Sequence, residues 1–218
     1  MDLIRTPKRQ RSTSADELPW PEAGFVLPKH RKPVASSMIS PASSSLLTPD
    51  AAVDHILGPA SAPVTIIEYG DFECPSCGQA HAAVKIILER FADRVRLVFR
   101  HYPQISIHPH AEMAAEAAEA AGAQGRFWPF HDVLFEHQEH LKERHLRQYG
   151  ERLGLDLERY DYEMNDHVYL QRVQEHVRSG ELLGIRAMPT FYVNGMLTDV
   201  SFGLKHLEEA VERVLRVA

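Results

Sequence analysis

Val64-Thr65-Ile66-Ile67-Glu68-Tyr69-Gly70-Asp71-Phe72-Glu73-Cys74-Pro75-Ser76-Cys77-Gly78 holds a β-branched run, a turn and two cysteines three positions apart. The first part reads as a buried strand ending at Gly70-Asp71. From Cys77 onward, Ala80, Val84, Ile87, Leu88 and Phe91 recur at helical spacing, so a helix opens at the cysteines. The motif therefore sits at a strand-to-helix junction. There, free backbone N–H groups and the positive end of the helix dipole stabilise a thiolate.

That placement divides the labour between the thiols. Cys74, at the helix N-terminus, is expected to be the attacking group, and Cys77, one turn in, the group that resolves a mixed disulfide. Pro75 suits the first helical turn, where a missing N–H costs nothing. Pro75 and Ser76 are positions that tune acidity and meet substrate. Glu68 lies six residues before Cys74 among apolar neighbours, where it is either a buried carboxyl that takes the Cys77 proton or a surface glutamate on the other strand face. Met188-Pro189-Thr190 precedes another strand, and Pro189 either simply opens that strand or is held cis in a tight turn.

Outward from the motif, Val95 to Arg100 reads as a second strand, giving a βαβ unit that should be right-handed. Helical stretches follow over Ala111 to Ala121, Pro129 to Leu141, Glu143 to Leu153 and Asp166 to Leu183. Thr190 to Val193 turns at Asn194-Gly195, a strong hairpin signal, and a last helix runs from Gly203 to Val217. The fold class is α/β: a helical domain, about residues 107–184, inserted between βαβ and ββα halves.

The chain of 218 residues, 44% apolar, has only two cysteines, so it is no disulfide-stapled scaffold. Its formal charge of -6 argues against nucleic acid as partner. Residues 1–49 read as a disordered tail and Ser/Pro linker ahead of a domain over 50–218. Met1 to Pro33 carries seven Lys/Arg against four acids, which leaves the rest at -9. Lys29-His30-Arg31-Lys32 reads as solvated, with docking to a partner as the alternative. No apolar stretch is long enough to span a bilayer or to act as a secretory signal, so a cytoplasmic location is expected as written, or a periplasmic or extracellular one if the true start lies upstream.

The chain resembles the DsbA family of disulfide oxidoreductases within the thioredoxin superfamily. The resemblance is carried by Asp54 to Pro59, Val64 to Gly78, Val95 to Pro103, His108-Pro109-His110-Ala111, Gly122 to Gln138 and Gly184 to Gly195. It implies a thioredoxin fold in which the helical insertion caps the active site, and that Glu68 matches the family's buried acid. It also implies that Pro189 is cis and faces the disulfide, holding an extended substrate, while Met188 tunes its release. The partners implied are a thiol- or disulfide-containing protein or peptide and a separate redox partner. Ser76 stands where the best-known oxidases have histidine.

Two other functional classes remain open: a redox-sensing adaptor that does not turn over, and a glutathione-dependent transferase or isomerase of related fold. Cys74, Cys77 and His81 form C-x2-C-x3-H, but structural zinc normally takes four ligands and there is no second cysteine pair, so no metal or cofactor is expected. His81 reads as a packed or half-exposed side chain and His108-Pro109-His110 as the start of a helix. His131, His137, His140 and His145 read mostly as a solvated face.

Overall fold

The computed structural model describes residues 45–201 and 203–217. The basic tail and most of the Ser/Pro linker lie outside the described residues. Strand β1 is His55–Leu57, β2 is Val64–Gly70 and β3 is Val95–His101. Helix α1, Pro75–Arg90, crosses between β2 and β3 and ends in a single 3-10 turn, Ala92–Arg94. Five helices follow: α2 (Ala111–Gly122), α3 (Phe127–Glu136), α4 (Glu143–Arg152), α5 (Leu157–Asn165) and α6 (Leu170–Leu182). The chain closes with β4 (Thr190–Val193), β5 (Met196–Thr198) and α7 (Lys205–Leu215).

The sheet order is β1-β3-β2-β4-β5. Among the described strands only β2 and β3 are parallel, which the α1 crossover requires. The β4–β5 turn places Asn194 (φ 47) and Gly195 (φ 80) in the left-handed region, the conformation a two-residue hairpin turn needs.

Strand alternation assigns the two faces of the sheet. Val64, Ile66, Val95, Leu97, Phe191 and Val193 pack on Ala80, Val84 and Ile87 of α1 and on Leu207 and Val211 of α7. Ile67, Tyr69, Val98 and Tyr192 pack with Ile185 on the other face. Each of the valine, leucine, isoleucine and phenylalanine side chains contributes about 1.5–3 kcal/mol when fully buried.

Leu47, assigned by sequence to the linker, is buried on this second face. Arg100 holds the segment there: it forms a two-armed pair with Asp54 (2.8 and 2.9 Å) and donates to the carbonyls of Leu46 and Thr48.

The helical block has its own core, in which Phe72 from the turn after β2 and Phe99 from β3 meet Phe127, Phe130, Leu134, Phe135, Leu146 and Tyr149. Ala114, Ala117, Ala118 and Ala121, at i, i+3, i+4 and i+7 along α2, let neighbouring helices approach closely. Sequence periodicity missed α5. Its only buried residues are Tyr160 and Glu163, too few for an apolar stripe, and its start is marked by Asp156, which accepts the N–H of Arg159 at 3.1 Å.

His131 corrects the solvated-face reading. It is 2% exposed and ringed by Phe72, Phe99, Trp128 and Phe135.

Candidate active site

Cys74 is the N-cap of α1 and Pro75 its first residue. The extended backbone of Cys74 (φ -79, ψ 120) turns its side chain back over the helix N-terminus. The N–H groups of Ser76 and Cys77 and the Cys77 thiol favour the charged form of its sulfur. Both cysteines are free.

The two thiols differ sharply. The Cys77 thiol as donor, followed by the two N–H groups, outweighs burial and brings Cys74 down to about 6. Cys77 has no exposed surface, and its bond to Cys74 together with burial pushes its thiol far above the ordinary range. One sulfur is thus a thiolate at neutral pH and the other keeps its proton.

Glu68 lies on the β2 face that carries Ile66, towards α1. It is 1% exposed, Oε1 has no hydrogen-bond partner, and burial pushes the carboxyl up to about 8. Its charge acts on Cys77, raising that thiol further. The bare α-carbon of Gly70 makes the slot: a Cβ there would stand 2.6 Å from the Phe99 ring and 3.5 Å from Glu68 Oε1.

The Met188–Pro189 peptide bond is cis, and the Met188 carbonyl lies 4.0 Å from Cys74 Sγ. Both residues are half-buried, whereas Pro75 and Ser76 are exposed beside Cys74. Pro189 and Thr190 also line a cleft of about 340 Å3 with Ile185, Arg186 and Tyr192. Cys74, Cys77, Met188 and Pro189 therefore meet at one place, with Pro75 and Ser76 at its rim and Glu68 behind Cys77.

Three further groups brace this loop. The Asp71 carboxylate, fully buried, accepts the N–H groups of Glu73 (2.8 Å) and Gln104 (2.8 Å) and faces His108 Nδ1 at 2.7 Å. Glu73 in turn accepts the N–H of His110, where α2 begins. Gln138, just past α3, donates to the carbonyls of Phe72 and Cys74 at 2.8 Å each. It reaches them because residue 78 is glycine, where a Cβ would stand 2.1 Å from Gln138 Oε1. Sequence reading assigned Asp71 no role beyond a turn and Gln138 none, because the bonds of Asp71 to Gln104 and His108, and those of Gln138 to Phe72 and Cys74, each span more than 30 residues.

The family model described as Thioredoxin matches residues 50–213. The chain belongs to the thioredoxin family. Within that family, a thioredoxin-like oxidoreductase from Silicibacter pomeroyi is 28% identical, with a TM-score of 0.66 over 81% of this chain and 98% of that one. BdbD from Bacillus subtilis is 24% identical, with a TM-score of 0.68 over 77% and 96%. Wolbachia pipientis alpha-DsbA1 is 20% identical, with a TM-score of 0.67 over 79% and 95%. The last two show that the DsbA-like fold is shared.

Among curated proteins, a Na(+)/H(+) antiporter NhaA 1 of Salinispora arenicola is 45% identical over 186 residues, which is 85% of this chain and 28% of that protein. The NhaA 3 antiporter of Salinispora tropica is 46% identical over 158 residues, 72% of this chain and 24% of that one. The chain spans about a quarter of the length of these relatives. Among the described residues, no helix is long and apolar enough to cross a membrane.

Proposed function

We propose that this chain is a thiol-disulfide oxidoreductase acting on protein or peptide substrates through Cys74 and Cys77. The observation that carries the reading is the asymmetry of the two thiols: one held as thiolate at a helix N-terminus, the other buried and protonated behind it.

In the reducing direction the Cys74 thiolate attacks one sulfur of a substrate disulfide. That bond breaks, its other sulfur leaves as thiolate, and a mixed disulfide forms. The ionised fraction of Glu68, about a tenth at pH 7 for a carboxyl raised to about 8, takes the Cys77 proton, and Cys77 attacks Cys74 Sγ. The second substrate sulfur is released, the substrate has gained two electrons, and the pair is left as a disulfide. The same steps reversed oxidise a dithiol. Met188 and Pro189 line the path of an extended peptide past Cys74, and a separate redox partner resets the pair. The antiporter names of the longer relatives lend no support to transport by this chain.

The test follows insulin reduction by the wild-type, Cys74→Ser and Cys77→Ser chains. Cys74→Ser is expected to abolish exchange. Cys77→Ser is expected to accumulate a mixed disulfide that a thiol reagent releases. Full activity of Cys77→Ser would favour a glutathione-dependent reaction, and a wild-type chain without turnover would favour an adaptor. The reduction potential of the pair, placed within roughly -270 to -120 mV, sets the direction.

A further inference from the structure

Away from the thiol pair, three side chains converge between α1 and α3. His81 projects from α1 one turn beyond Cys77, and His131 and Asp132 are consecutive on α3. His131 Nδ1 lies 3.1 Å from Asp132 Oδ1, and His81 Nε2 lies 3.7 Å from the same oxygen. One ligand atom from each of the three falls within 4.8 Å of the others.

The His81 side chain is only 9% exposed, and its Nε2, buried, has no hydrogen-bond partner. A buried imidazole nitrogen left unpaired costs about 1–3 kcal/mol, so something must keep it there. Stacking on Phe135, at 5.0 Å between ring centres, fixes the His81 ring, and the aromatic ring around His131 fixes that one. A cleft of about 180 Å3, walled by Leu57, Val84, Leu88 and Trp128, opens onto all three residues.

We propose that His81, His131 and Asp132 bind a divalent first-row transition-metal ion, with Zn2+ the ion whose geometry fits. Tetrahedral Zn2+ with nitrogen and oxygen ligands at about 2.0–2.2 Å sets neighbouring ligand atoms roughly 3.3–3.6 Å apart. The observed 3.1 and 3.7 Å bracket that spacing. Two imidazoles and a carboxylate fill three positions, and the cleft leaves the fourth for water.

One group opposes the ion. The Lys85 ammonium lies 3.2 Å from Asp132 Oδ2 and 3.5 Å from Glu136 Oε1. It occupies the carboxylate oxygen that the ion leaves free, and it is 42% exposed, so it can swing towards Glu136 and solvent. The site shares only His81 with the C-x2-C-x3-H pattern and draws on neither cysteine.

The test uses the full-length, thiol-free C74S/C77S chain, titrated with Zn2+ by calorimetry and with Co2+ by visible absorption. Expected are one equivalent of Zn2+ and the d–d bands of tetrahedral Co2+ without a sulfur charge-transfer band. On that background, H81Q and D132N should each weaken Zn2+ by at least about tenfold. K85M, which removes the opposing charge, should tighten it several-fold. Circular dichroism confirms that each variant is folded. Absence of Zn2+ binding, binding indifferent to both H81Q and D132N, or weaker binding by K85M overturns the proposal.

Discussion

Glutamine at position 68 removes a charge from the floor of the thiol site without changing its volume. In the unfolded chain a glutamate ionises near 4.3, whereas the apolar slot under α1 raises Glu68 to about 8. Between those values the chain must take up a proton to fold. The contribution of Glu68 to stability is therefore whole below about pH 4.3 and is lost, at about 1.4 kcal/mol per pH unit, as pH rises towards 8. At pH 7 the loss is about 3–4 kcal/mol. Glu68→Gln escapes it but buries an amide with no ready partner, at a cost of about 1 kcal/mol or more. A net gain of about 2–3 kcal/mol is expected at pH 7, shrinking to nothing or below at pH 5. Urea unfolding of the reduced protein, followed by tryptophan fluorescence at pH 5, 6, 7 and 8, measures both slopes. A Glu68→Gln chain less stable than wild type at pH 7, or one with the wild-type pH slope, refutes the reasoning.

Cys74 should react with iodoacetamide along a titration curve centred near pH 6, with the rate lost as pH falls through that value. At pH 7 about nine-tenths of it is thiolate, against about 3% of an ordinary thiol. A midpoint above pH 8 would show that the helix N-terminus is not acting on the sulfur. Gln138→Ala frees the carbonyls of Phe72 and Cys74 and should lower stability by about 1–2 kcal/mol in thermal melts. Because the loop then loosens around Cys74, the same variant should also slow disulfide exchange; unchanged kinetics would reduce Gln138 to a packing role.

Where one physical signal dominates a segment, the sequence was readable. The β-branched runs of β2 and β3, the alanine stripe of α2 and the Asn194-Gly195 turn each carry their conformation locally. Strand β1, at three residues, and α5, with two inward side chains, are elements only through what they pack against. His131 was misread because a histidine-rich stretch does not reveal which side of a helix the aromatics will occupy. The junction at Cys74 and Cys77 was legible from motif position. The braces at Asp71 and Gln138 were not, since a long-range hydrogen bond leaves no periodicity behind.

The sheet ends on both sides in strands of three residues, β1 and β5. Beyond β1 the chain turns away at Gly58 (φ 106), and β5 carries two exposed apolar side chains, Met196 and Leu197. An unpaired backbone edge invites any extended polypeptide to add as the next strand, and shortness is one way proteins refuse. A protein proposed to handle unfolded, cysteine-bearing chains meets such strands continually. With no edge longer than three residues among those described, the proposed exchange would hold a client through one sulfur for the length of a reaction and still let it go.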